Sequence, residues 1–278
     1  MSILLGVAAA IFIGLSDSFG RASSRRNQSS VTHVTAQMFV GTLVALPFTL
    51  FIPSNFIVRD VLFGGLSGVT VAAGLAIVYR AMADSSSAVT LPLAGVLAIL
   101  VPLMWDLATG ARLGTLAAIG CAVAVISLVI VSFDPNLGTS TIRRGLGLAF
   151  LGGLLFGLTF LFAGVTSEAS GAWPAVFNRG VGFVGITLLA INNRAPLLLE
   201  PSVRKFGILG GFAGSLGMIS LIVGTQVGSL AIVSVLAGSS PAITVLATAA
   251  FDDDTVTWWQ ILGVAGAITG VSLIAIGA

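Results

Sequence analysis

Two charged side chains inside long apolar stretches, Asp17 and Arg179, are the strongest candidates for chemistry. Arg179 lies near the middle of its stretch, where a charge costs roughly 2.5–3.5 kcal/mol on membrane-insertion scales. That cost predicts either a cavity in which Arg179 anchors an anionic group such as a carboxylate, or a structural ion pair or interfacial position. Asp17 is a candidate to meet an ammonium group or to carry a coupling proton, or else to pair with Arg21 one helical turn later.

Uncharged polar side chains in the apolar stretches extend the set of candidate binding residues. They are Ser16, Gln37, Tyr79, Thr159, Gln226 and Ser234. At membrane depth such groups should face a wet or protein-lined space, because in lipid they lose their hydrogen bonds to water. The chain has few residues that could bind a metal ion or act as a nucleophile, since His33 is the only histidine and Cys121 the only cysteine. The sequence therefore predicts a binding site without a metal, a cofactor or a catalytic group.

The composition places these residues in a membrane protein. Only 8% of the 278 residues are charged and 56% are hydrophobic, whereas soluble domains are about 25% charged. So few charges exclude both a water-soluble domain and a disordered chain. Lys205 is the only lysine, which argues against a nucleic-acid partner. Membrane lipid is the expected surrounding.

Ten apolar stretches are long enough to cross a bilayer, which takes roughly 20 residues as a helix. They cover residues 3–20, 31–52, 61–82, 87–108, 114–133, 144–164, 172–191, 205–225, 229–250 and 257–277. Their continuous apolar runs favour helices over the alternating strands of a membrane barrel. The sequence therefore predicts an all-α, multi-pass integral membrane protein, and we expect it in the inner (plasma) membrane of a prokaryotic cell.

An internal duplication divides the chain. At an offset of 143 residues, small residues of one half fall on those of the other. The matches include Gly14–Ser16 with Gly157–Thr159, Gly64 with Gly207, Gly68 with Gly211, and Leu93–Gly95 with Leu236–Gly238. The second and seventh stretches need a slightly different offset. Residues 1–134 and 144–278 then hold five helices each, and the odd number reverses the second half in the membrane. This predicts two inverted five-helix repeats, which are typical of secondary transporters.

Several motifs near the helix ends resemble the EamA-type branch of the drug/metabolite transporter superfamily. The resemblance rests on Gly14–Gly20, Tyr79–Ala83, Leu230–Leu236 and Ser240–Ala242, and it covers essentially the whole chain. One departure is clear. The family usually has a Glu-Arg pair before its fifth and tenth helices, where this chain has Ala111-Arg112 and Asp254-Thr255.

The resemblance implies a secondary transporter, an exporter or exchanger of a small metabolite, amino acid or drug, that works by alternating access. The sequence agrees that ATP does not drive it, because no GxxxxGK[ST] phosphate-binding loop is present. The resemblance also implies a cavity lined by the first, third, fourth, sixth, eighth and ninth spans, with the fifth and tenth outside it. A proton is a possible coupling ion. The protein is expected to be either a monomer or a homodimer, and the sequence does not choose between them. A membrane-embedded scaffold, or an enzyme without a recognisable catalytic cluster, is the competing class.

Basic residues predict the orientation. The odd-numbered connections between spans hold nine of the 12 lysines and arginines, whereas the even-numbered connections hold two, Arg59 and Arg112. By the positive-inside rule, the odd-numbered connections face the cytoplasm and both termini lie outside. The family resemblance implies cytoplasmic termini instead. We follow the charge distribution, because it is a property of this chain.

Overall fold

The protein is helical in the residues that its structure, a computed structural model, describes: 1–26, 28–84, 87–110, 114–131, 139–251 and 258–277. The helices are α1 (Ser2–Ser24), α2 (Ser30–Ala45), α3 (Phe48–Phe51), α4 (Val58–Asp84), α5 (Ser87–Ala108), α6 (Thr115–Val131), α7 (Thr139–Gly164), α8 (Trp173–Asn192), α9 (Arg204–Gln226), α10 (Leu230–Gly238), α11 (Ser240–Phe251) and α12 (Trp258–Gly277). A short 3₁₀ turn covers Glu168–Ser170. No strand occurs within these ranges. The Ala111-Arg112 and Asp254-Thr255 pairs lie outside the described residues.

Several helices are suited to a lipid environment. Within the described ranges, five helical segments are long and apolar enough to cross a membrane: α1, α2 with α3, most of α4, α8 and α9. Shorter apolar helical segments lie in the other predicted spans. Large apolar side chains also cover the outside of the bundle, such as Leu50 and Ile276, which are 86% and 75% exposed. The chain is therefore an integral, multi-pass membrane protein.

The ninth predicted span is broken rather than continuous. α10 ends at Gly238 and α11 begins at Ser240. Pro241 has no N–H to donate to the carbonyl four residues before it. The N–H of Ser239 instead donates to the carbonyl of Leu236 at 3.1 Å, which closes a tighter turn. The α-helix is therefore interrupted at Ser239.

Glycines bring helices of the two halves into backbone contact. A Cβ added at Gly68 of α4 would collide with the carbonyl oxygen of Asn178 in α8. One added at Gly211 of α9 would lie 2.7 Å from the carbonyl oxygen of Gln37 in α2. Only hydrogen fits in either contact, and such small residues let helices approach closely in lipid.

A second type of glycine contact is made by one glycine of each half against a helix of the other half. A Cβ added at Gly14 of α1 would lie 2.7 Å from the carbonyl oxygen of Ser240, and one added at Gly157 of α7 would lie 2.8 Å from that of Leu97 in α5. Gly157 follows Gly14 by 143 residues, and Ser240 follows Leu97 by the same number. The same helix contact is therefore made in both directions between the halves.

α6 and α12 form a close pair of their own. A Cβ added at Gly120 would lie 2.8 Å from the carbonyl oxygen of Gly270, and one at Gly270 would lie 2.8 Å from the amide nitrogen of Ala124. Ala124 and Ile274 are fully buried where these helices meet. The fifth and tenth predicted spans thus pack mainly on each other.

Hydrogen bonds also join the halves at both ends of the bundle. At one end, which we call the Ser54 end, the N–H of Ala172 donates to Ser54 Oγ at 3.0 Å. At the opposite end, the Thr32 end, Thr32 Oγ1 donates to the carbonyl of Pro196 at 2.6 Å. The Ser54 end has an additional contact, in which the N–H of Ser167 donates to Oδ2 of the fully buried Asp60 at 2.9 Å.

The glycine contacts predict a selective loss of stability. We expect Gly68→Ala to lower the free energy of unfolding by about 1–3 kcal/mol, because the added methyl group meets the main chain of Asn178 and cannot rotate away. Thermal melting of the detergent-solubilised protein, followed by gel filtration, measures the change. Gly185→Ala is the matched control, since a Cβ at this position in α8 meets nothing within 4 Å. Similar melting temperatures for the two variants would contradict the prediction.

Candidate functional site

A partly open cavity lies between the two halves. Its lining comes from α1, α2, α4 and α5 of the first half and from α7 to α11 of the second. Among the described residues, neither α6 nor α12 contributes to the lining. The second and seventh predicted spans, which the family resemblance left out, contribute Gln37 and Arg179.

The lining repeats itself at the 143-residue offset. Fourteen of the seventeen described lining residues form seven pairs. The pairs are Ile13 with Phe156, Ser16 with Thr159, Asp17 with Phe160, Val71 with Gly214, Leu75 with Met218, Gly95 with Gly238, and Ala98 with Pro241. The other three residues are Gln37, Arg179 and Ser240. A cavity lined by equivalent positions of both halves lies where the halves meet.

Arg179 reaches the cavity from α8 and is only 3% exposed. Its Nη2 donates to the carbonyl of Gly214, and its Nη1 lies 3.5 Å from the sulfur of Met38. Its Nε has no hydrogen-bond partner among the described residues. Gly41 leaves room for the side chain, since a Cβ there would lie 3.0 Å from Arg179 Cδ. A guanidinium has five N–H donors, so this buried cation keeps donors available for an anion.

Ser16 and Gln37 lie next to Arg179 and are tied to each other. Gln37 Nε2 donates to Ser16 Oγ at 2.5 Å, and Ser16 Oγ donates to the carbonyl of Gly210 at 2.9 Å. A Cβ added at Gly214 would lie 2.8 Å from Ser16 Oγ and 3.5 Å from Arg179 Nη2. The main chain of α9 therefore holds a serine, a glutamine and an arginine on one wall of the cavity.

Asp17 follows Ser16 on α1 and is partly exposed to the cavity. The hydroxyl of Tyr79 donates to Asp17 Oδ1 at 3.4 Å. Tyr79 is fully buried and packs on Gly20, where an added Cβ would collide with the phenol ring. Tyr79 thus contacts Asp17 on the side away from the cavity and is not one of the lining residues.

The wall formed by α7 is mostly apolar. Thr159 is its polar residue, and its Oγ1 lies 2.8 Å from Thr70 Oγ1 of α4. Phe156 and Phe160 flank Thr159 in the lining. Phe160 is the counterpart of Asp17 in the other half, so the equivalent positions carry an aromatic ring on one side and a carboxylate on the other.

Two sequence candidates lie away from the cavity. Gln226 is at the Ser54 end, where its Nε2 lies 3.1–3.3 Å from the carbonyl oxygen of Gly171 and from the hydroxyls of Thr166 and Ser170. Ser234 is fully buried in α10, and its hydroxyl has no partner among the described residues. The structure thus brings together Ser16, Asp17, Gln37, Thr159 and Arg179, with Tyr79 behind Asp17.

Sequence reasoning missed the apolar part of the lining. Phe156 and Phe160 carry no polar group, so nothing distinguishes them from the lipid-facing residues of α7. The duplication contained the missing signal, because adding 143 to Ile13 and Asp17, which flank Ser16 in the lining, gives these two phenylalanines.

The fold and the cavity define an integral membrane protein with a partly polar cavity between two halves. Residues 143–276 match the family model described as the EamA-like transporter family. The match confirms the resemblance to EamA-type transporters of the drug/metabolite transporter superfamily, and it covers the second half of the chain.

Solved structures extend the likeness in fold to the whole chain. Twenty-nine chains of solved structures match. One of them, a crystal structure of a protein, has a TM-score of 0.75 and 13% sequence identity, and the alignment covers 99% of this chain and 96% of the other. No curated protein matches the chain. At this low identity the comparison shows a shared fold.

The cavity predicts a pattern of chemical labelling. In a Cys121→Ser background, we expect a water-soluble maleimide to label Ile13→Cys and Phe156→Cys at least several-fold faster than Ser234→Cys and Ile274→Cys. The first two positions are partly exposed and line the cavity, whereas the other two are fully buried and do not. Labelling rates in membranes, normalised to expression, provide the measurement. Equal rates would place the accessible space elsewhere.

Proposed function

We propose that this protein is a secondary transporter that exports or exchanges a small molecule through the cavity by alternating access. The seven-pair lining carries the proposal. When equivalent positions of two halves face one space, the halves can exchange conformations and so open that space first to one side and then to the other. Within the classes that the family resemblance implies, the substrate is a metabolite, an amino acid or a drug.

Two inverted repeats, residues 1–134 and 144–278, explain this lining. The reciprocal glycine contacts support them, because a twofold relation turns every contact between the halves into a pair. The helix directions give further support. Ser2 at the start of α1 lies beside Gly228, while Gly164 at the end of α7 lies beside Leu230. Since these neighbours are close in sequence, α1 begins at the end of the bundle where its counterpart α7 finishes.

Alternating access requires the Ser54 end and the Thr32 end to open in turn. Each end joins the halves through a hydrogen bond near the start of α8 or α2, so each contact is placed to close one side of the cavity. Arg25, Arg26 and Arg194 belong to the connections at the Thr32 end. The positive-inside rule therefore places that end in the cytoplasm.

Counterflow in liposomes tests the proposed function directly. Purified protein is reconstituted into liposomes loaded with a pool of amino acids and small organic acids, and uptake of each labelled compound is followed without ATP. We expect at least one compound to accumulate above the level of protein-free liposomes. Uptake equal to that of protein-free liposomes for a broad panel would contradict transport.

Cross-links at the two ends test alternating access. In a Cys121→Ser background, we expect oxidation of the pair Ser54→Cys and Ala172→Cys to stop counterflow, because one side can no longer open. We expect the same result for the pair Thr32→Cys and Pro196→Cys, and reduction with dithiothreitol should restore transport in both cases. The single-cysteine variants serve as controls, since they undergo the same oxidation without forming a link within the chain. Full transport with either link formed would contradict the mechanism.

A further inference from the structure

The cavity contains a cation, Arg179, that has no anionic partner among the described residues. The contacts of the Arg179 guanidinium are a main-chain carbonyl and the thioether of Met38, and Nε donates to nothing among the described residues. A buried guanidinium gains most from a carboxylate, which accepts two parallel hydrogen bonds. The described lining offers it no such contact, although Asp17 lines the same cavity.

Asp17 is an anion in the same cavity that has no cationic partner among the described residues. The contact of its carboxylate among the described side chains is the hydroxyl of Tyr79 at 3.4 Å. Asp17 and Arg179 form no ion pair, so their nitrogen and oxygen atoms lie more than 4.0 Å apart. Two opposite charges in one cavity thus remain separate, and neither has, in the part of the chain that the structure describes, the partner that would offset the cost of removing it from water.

The rest of the lining fits an apolar group. Phe156 and Phe160 of α7, Leu75 of α4 and Met218 of α9 face the same space. Hydrophobic walls with a few placed polar groups are the usual form of a small-molecule site, in which the polar groups fix orientation. Here the placed groups have opposite charges.

We propose that the cavity recognises a small zwitterion with an apolar portion, whose carboxylate binds Arg179 and whose ammonium group binds Asp17. The proposal rests on the proposed function, because it names the substrate class of the same cavity. A ligand with both charges complements both residues at once, whereas a ligand with one charge leaves a second charge without a partner. Ser16 lies beside Arg179 on the same wall of the cavity.

Four probes with the same six-carbon chain separate the contributions of the two charges. They are 6-aminohexanoate, hexanoate, hexylamine and hexanol. Leucine is added as a zwitterion with adjacent charges. Binding is measured as thermal stabilisation of the purified wild-type protein in detergent, titrated with each probe. We expect at least one zwitterion to bind about tenfold more tightly than hexanoate or hexylamine, as charge-assisted hydrogen bonds from a second charged group imply.

Two charge-removing variants assign each end of the ligand. We expect Asp17→Asn to lower the affinity for the zwitterion about tenfold, towards that of hexanoate, and Arg179→Gln to lower it towards that of hexylamine. If Arg179→Gln does not fold, Arg179→Lys keeps the charge but loses the planar donors, and we expect it to weaken binding of the carboxylate end. Asp106→Asn is the matched control, because Asp106 accepts a hydrogen bond from the N–H of Ala231 outside the cavity lining.

Equal affinity for the zwitterions and for a singly charged probe would overturn the proposal. An Asp17→Asn variant that binds the zwitterion like the wild type would also overturn it. Both results concern binding in detergent and leave transport in liposomes as a separate measurement. The proposed function fails only if counterflow is absent, so the two failures are distinguishable.

Discussion

Close approach of helix backbones is the constraint on which the rest of this structure depends. In lipid, apolar side chains gain no hydrophobic energy when helices associate, so packing and polar contacts between helices must hold the bundle together. Gly68 and Gly211 place α4 on α8 and α9 on α2. Gly214, on the same helix as Gly211, supplies the carbonyl to which Arg179 donates. The glycines that close the bundle thus also bring a backbone acceptor to its buried cation.

The repeated backbone contacts explain how two similar halves carry different chemistry. A contact between a glycine and main-chain atoms does not depend on the side chains at neighbouring positions. The residues that line the cavity can therefore differ between the two halves. Val71 fills its place beside the cavity, whereas its counterpart Gly214 leaves space into which Ser16 and Arg179 both reach. Gly214 therefore makes room for Ser16 and Arg179 on its side of the cavity.

The sequence revealed the helices and the charged residues more clearly than the faces of the helices. Arg179 and Asp17 were recognisable because a charge in an apolar run needs an explanation whatever the fold. Polar residues without charge gave a weaker signal, since a hydroxyl or an amide also serves local needs. Gln226 bonds to the 165–171 connection, and Ser234 is buried inside α10. Helices that are apolar on all sides carry no periodicity that separates the cavity from lipid.

The break between α10 and α11 is a difference between the two halves that their shared helix contacts do not remove. α10 ends at Gly238 and α11 begins at Ser240, whereas the counterparts Gly95 and Ala98 lie inside the single helix α5. A proline alone does not decide this, because Pro102 lacks an N–H just as Pro241 does and yet lies within α5. The contacts that can open without reshaping these helices are the hydrogen bonds at the Ser54 and Thr32 ends, since each has one partner in a connection between helices.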